Sequence, residues 1–130
     1  MDNKSPDATC VQDQDWLDTL FPPSRTDAFF DALFGGAEEG AYDIKLTYIG
    51  QSQDTLTMAF TLLQRPGKCL RCNLTYGLPE VFARHPILDA KGLAATLAQA
   101  MQWDSYTWSL GHTEEVTNEC HHIPFRIKKA

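Results

Sequence analysis

The sequence predicts an α+β fold: a single domain in which a twisted antiparallel sheet of about five strands carries helices packed on one face. Three observations carry this reading. Apolar and polar residues alternate through 42–48, 55–62, 70–76, 106–110 and 121–127, the period of half-buried strands. Segments ahead of the first strand and after the third place apolar residues at helical spacing. Clusters of Gly and Pro punctuate these segments, with no repeat and no internal boundary. The element order is α-α-β-β-β-α-β-β.

Residues 1–14 are polar and aperiodic and read as a flexible N-terminal segment, leaving 15–130 as the domain. Trp16, Leu17, Leu20 and Phe21 then mark one face of a short helix, which Pro22 and Pro23 stop. Ser24 stands where an N-cap belongs, and Phe29, Phe30, Leu33 and Phe34 follow as the core stripe of a second helix ended by Gly35 and Gly36. Tyr42, Ile44, Leu46 and Tyr48 alternate in one strand and Leu56, Met58, Phe60 and Leu62 in the next, which together predict a hairpin. After a turn at Pro66 and Gly67, Leu70, Cys72, Leu74 and Tyr76 extend the hairpin to a three-stranded meander. Pro79 suits the first turn of a short helix to Arg84. Asp89 caps a further helix bearing Leu93, Leu97 and Met101. Two strands, around Trp108 and Ile123, close the chain on either side of a turn at Gly111 to Glu115.

A hydrophobic share of 43%, including seven Phe, is enough for a packed core. The net charge of −6 argues against non-specific attraction to nucleic acid or to an anionic membrane surface. Charge is unevenly spread: from 65 to 85, Arg65, Lys68, Arg71 and Arg84 face Glu80 alone, a local excess of +3. No apolar run approaches the roughly 20 residues that span a bilayer, and MDNKSPDATC lacks the basic start and apolar core of a secretory signal. The expectation is a cytoplasmic protein with reduced thiols.

Chemistry concentrates between Arg65 and Pro86. Arg65, Arg71, Arg84 and His85 form a candidate set for binding a partner protein or a small anionic ligand such as a phosphate or carboxylate. The simpler reading of the last two is that Arg84 pairs with a carboxylate and His85, ahead of Pro86, holds the loop by a hydrogen bond to backbone. Cys69 and Cys72, with Cys120 and His122 or its neighbour His121, have the donor types of a tetrahedral zinc site. Against it, strand alternation sends Cys69 and Cys72 to opposite faces unless the strand starts after Cys72, and the alternative is structural cysteines. Asn73 rather than His follows the pair, so haem attachment is not indicated, and no helix follows to lower a redox thiol's pKa. Signatures of hydrolases, zinc proteases and nucleotide-binding loops are absent.

The functional expectation is a non-enzymatic binding or accessory domain. It contacts a partner protein or a small anionic ligand through the Arg65 to Pro86 segment and the Thr-rich sheet face, which also reads as a homodimer surface. A zinc-stabilised domain is the alternative, and a small enzyme using a Cys or His the second alternative.

Overall fold

The computed structural model describes residues 10–34, 42–68 and 78–130. A 3-10 turn, Cys10–Gln12, leads into α1, Gln14–Leu20. Val11 is fully buried, so ordered chain begins ahead of Asp15; a lone apolar residue has no periodicity to announce it. Asp13 caps α1 by accepting from the Asp15 amide at 3.0 Å. The second helix, α2, Pro23–Phe34, starts at Pro23, ahead of the expected cap at Ser24. Proline's fixed φ suits the first helical position, and its missing N–H is no loss there.

β1, Tyr42–Gln51, and β2, Thr55–Gln64, form the expected antiparallel hairpin, with Ile44 opposite Leu62 and Leu46 opposite Phe60. Pro66 and Gly67, the latter at φ 75°, turn the chain after β2, with the Lys68 amide donating to the Arg65 carbonyl at 3.1 Å. A positive φ at the third turn residue is what glycine supplies. The expected third strand, 70–76, lies outside the described residues. The place beside β2 that a meander gives it belongs to β5, Cys120–Lys129, which pairs with β2 from Leu63–Cys120 to Thr55–Lys128. Alternation reports which residues face inward; it is silent on which strand lies next.

α3, Leu78–Arg84, and α4, Ala90–Ala100, follow. Asp89 caps α4 as expected, from a left-handed conformation, accepting from the Gly92 amide at 3.1 Å. A Cβ on residue 92 would collide with that carboxylate, so glycine there keeps the cap in place. β3, Tyr106–Leu110, and β4, Glu114–Thr117, both pair with β5 along its outer edge, giving a five-stranded antiparallel sheet in the order β1-β2-β5-β3 with β4 below β3. β4 overlaps the end of the segment that the sequence reads as a turn, Gly111 to Glu115, and runs on to Thr117. All four of its residues are exposed, so it carries no alternation.

The described helices pack on one face of this sheet, the α+β arrangement that the pattern predicts. Phe60, at the centre of β2, meets Phe21 from the end of α1, Phe82 from α3 and Phe125 from β5 at ring separations of 5.9, 5.4 and 5.1 Å. Leu17, Phe29, Phe30, Leu93 and Leu97 complete the layer, all buried. Truncating an aromatic so placed costs about 3–5 kcal/mol. No described helix is long and apolar enough to cross a membrane.

Candidate functional site

Of the residues singled out between Arg65 and Pro86, the structure describes Arg65, Arg84 and His85. Arg65, at the end of β2, donates from Nε to Asp43 at 3.0 Å and from Nη2 to Asp27 at 2.8 Å, and its guanidinium lies 5.3 Å from the centre of the Phe30 ring. Its charge is thereby committed within the fold. Arg84 is exposed at the end of α3, with no carboxylate among the described residues at ion-pair distance. His85 follows it, its ring edge-on to Phe29 at 4.9 Å and its Nδ1 accepting from the Ile87 amide at 3.2 Å. This is the loop-holding bond to backbone that the simpler reading gives it, and the proton of the neutral ring then sits on Nε2. Arg84 and His85 belong to the helix layer, across the sheet from its open face. Arg71, Cys69 and Cys72 lie outside the described residues.

Register places the remaining candidates on the open face. Leu63 pairs with Cys120, Thr61 with His122, Ala59 with Pro124, Thr57 with Arg126 and Thr55 with Lys128, all turned away from the helices. Cys120 and His122 therefore share a face, while His121 faces inward and is buried. Burial pushes the Cys120 thiol up, which keeps it protonated and a poor nucleophile. Among the described residues no group of three or more His, Cys, Asp or Glu is placed to hold a metal ion.

The floor of this face is built from short side chains. Thr47 and Thr61 bond through their hydroxyls at 2.8 Å, and Ala59 and Pro124 are buried beside them although no described helix covers them. Longer neighbours supply the walls. A depression of about 90 Å3 is lined by Ile49, Ala59, Glu114, His122, Pro124 and Arg126. A larger apolar cavity of about 260 Å3 opens at the β1 edge, between Phe21 and Pro23 on one side and Ile44 and Leu63 on the other, with the Asp18 to Lys45 ion pair at its rim. Ile49 and Leu63 are 50% and 37% exposed.

Sequence reasoning passed over Glu114, Ile49 and Leu63, and met Arg126 only as part of a C-terminal basic run with Lys128 and Lys129, ordinary solvated charge or a small anion-binding patch. The signal for Arg126 was available: in a strand whose odd positions, 121 to 127, face inward, the even positions carry Cys, His, Pro, Arg and Lys to the other side. Ile49 was not legible, because it occupies an irregularity in the β1–β2 register between Tyr48 and Gly50 that breaks the alternation. No protein-family model matches the chain, and neither a curated protein nor a solved structure is significantly similar to it.

Proposed function

We propose that this is a non-enzymatic, cytoplasmic binding or accessory domain that contacts a partner protein through the open face of its sheet. The observation that supports this is the exposure of Ile49 and Leu63 at two sides of a floor of short side chains, on the face that the described helices leave free. Exposed aliphatics around a level floor suit a protein surface. The alternative ligand, a small anion, fits less well: the depression of about 90 Å3 is below the several hundred Å3 typical of small-molecule sites, and Arg65 spends its charge on Asp43 and Asp27. The test is affinity capture from an extract of the source cells by the wild type and by an Ile49→Gln, Leu63→Gln double variant, quantified by mass spectrometry. A partner held by the wild type and lost from the variant supports the reading. Identical recoveries on both remove it.

A zinc-stabilised domain is the second reading, favoured by one relationship. The Gln64 amide donates to the Glu119 carbonyl at 2.9 Å, so the chain leaves β2, shortly before Cys69 in sequence, at the end of the sheet where Cys120 and His122 stand. Cys69, Cys72, Cys120 and His122 would be the ligands, and the metal would supply folding energy. Elemental analysis of the purified protein, with melting temperature compared before and after chelation, decides it: about one zinc per chain and a large fall on chelation support the site, and metal-free protein of undiminished stability removes it.

A further inference from the structure

Arg126 is an exposed arginine of β5. One of its terminal nitrogens, Nη1, lies 3.2 Å from where a Cβ on Gly111 would be, and Pro124 ring atoms lie equally close to that point. The side chain thus ends in the space beside Gly111 and Pro124, and it borders the depression lined by Ala59 and His122. Among the described residues no carboxylate lies within ion-pair distance of Arg126 or of Lys128. Two of the other charges of the face are paired, Lys45 with Asp18 at 3.9 Å and Asp43 with Arg65 at 3.0 Å, while Glu114, on the wall of the same depression, has no cation at ion-pair distance among the described residues. A chain of net charge −6 thus presents, on the sheet face that no described helix covers, two unpaired cations against one unpaired carboxylate, beside apolar surface.

We infer that the occupant of this face is a segment of a partner protein that carries a carboxylate, bound by Arg126, together with a bulky apolar side chain, received by the cavity of about 260 Å3 between Phe21, Ile44 and Leu63. This rests on the proposed partner-binding role of the face and goes further by stating the partner's chemistry. A guanidinium and a carboxylate form paired, charge-assisted hydrogen bonds with a fixed geometry. A second copy of the chain fits less well, because it brings another −6 to the contact.

The experiment selects a phage-displayed random dodecapeptide library on the full-length protein and measures the enriched peptides by fluorescence anisotropy against three variants. Arg126→Ala and Arg126→Glu remove and reverse the charge, and the Ile49→Gln, Leu63→Gln pair removes the apolar contacts. All four substitutions are at exposed positions, and equal melting temperatures establish that the variants fold. The expected result is enrichment of peptides with Asp or Glu about six residues from a large apolar residue, the separation of Arg126 and Leu63 along the sheet, binding Arg126→Ala about tenfold weaker or worse, and a switch to Lys- or Arg-bearing peptides on Arg126→Glu. Peptides without carboxylates that ignore Arg126 but need Ile49 and Leu63 overturn the inference and leave the partner-binding face standing. Absence of enrichment, or peptides indifferent to all the variants, overturns both. A dimer in sedimentation equilibrium that Arg126→Glu dissociates makes a second copy the occupant and overturns the acidic segment.

Discussion

The amide of Gly111 donates to the carbonyl of Pro124 at 2.8 Å, across the point where the outer neighbour of β5 is interrupted. In an antiparallel ladder a residue turns its N–H and its C=O to the same neighbour, and Pro124 has no N–H to return. β3 ends at Leu110 and β4 begins at Glu114, so the neighbouring strand leaves the ladder where the donor is missing. Gly111→Ala should cost about 1 kcal/mol or more, because the new Cβ must displace Pro124 or the Arg126 guanidinium. Gly50→Ala, with nothing within 4 Å of the added carbon, should be neutral and serves as the control in urea unfolding.

Arg65 joins the end of β2 to the start of β1 and to α2. Its side chain is only 18% exposed, whereas both carboxylates it bonds are 56% exposed, so the ion pairs themselves are modest and ring and packing contacts carry much of the effect. Arg65→Ala should lose about 1–2 kcal/mol. Arg65→Lys should recover less than half of that, since an ammonium has no fork to reach Asp27 and Asp43 together and no flat surface for the Phe30 ring. Thermal melts of both variants check it, and full recovery by lysine would show that charge alone matters.

How much of this was legible depends on the residue. Tyr42, Ile44 and Leu46 announce their strand because one face is buried and the other is not, and Asp89 announces α4 because the cap chemistry is local. Neighbour order in the sheet is not local: nothing between Thr55 and Gln64 encodes that Cys120–Lys129 will lie beside it. β4 escaped notice because none of its residues is buried, and Val11 because it stands alone. Which charges meet is not local either. Charge density along the chain drew attention to Arg65, but charge in space is set by partners, and Asp27 and Asp43 come from elements 38 and 22 residues away. Arg126 belongs to a short basic run with Lys128 and Lys129 and has no carboxylate at ion-pair distance among the described residues.

Thr26 protects the edge of the sheet. Its fully buried hydroxyl donates to the Ile44 carbonyl and accepts from the Ile44 amide, each at 3.3 Å, while Gln14 Nε2 donates to the Leu46 carbonyl at 2.9 Å. β1 is an edge strand, and these side chains occupy backbone groups that another strand would pair with. Thr26→Val keeps the shape, leaves a buried amide and carbonyl without their partner, and should cost about 1–3 kcal/mol. Combined with Gln14→Ala it should also produce concentration-dependent association in light scattering. A variant as stable and as monodisperse as the wild type would show that the edge needs no cover.

Tyr42 offers a test at alkaline pH. The ring is 4% exposed, edge-on to Phe30 at 4.9 Å, and burial pushes its phenol well above the ordinary tyrosine value. In the unfolded chain the same phenol ionises near its ordinary pKa of about 10. Below that pH both states hold the proton and the group has no effect on the pH dependence. Above it the unfolded state loses a proton that the folded state keeps, so stability falls as pH rises, by about 1.4 kcal/mol for each unit until the folded-state value is reached. Tyr42→Phe preserves the ring and removes the titration. Urea unfolding of both proteins at about pH 8 and about pH 11 should therefore show the wild type losing about 1 kcal/mol more than the variant between the two. Parallel losses would mean that the phenolate forms within the folded protein, and that the contact with Phe30 leaves the hydroxyl open to water.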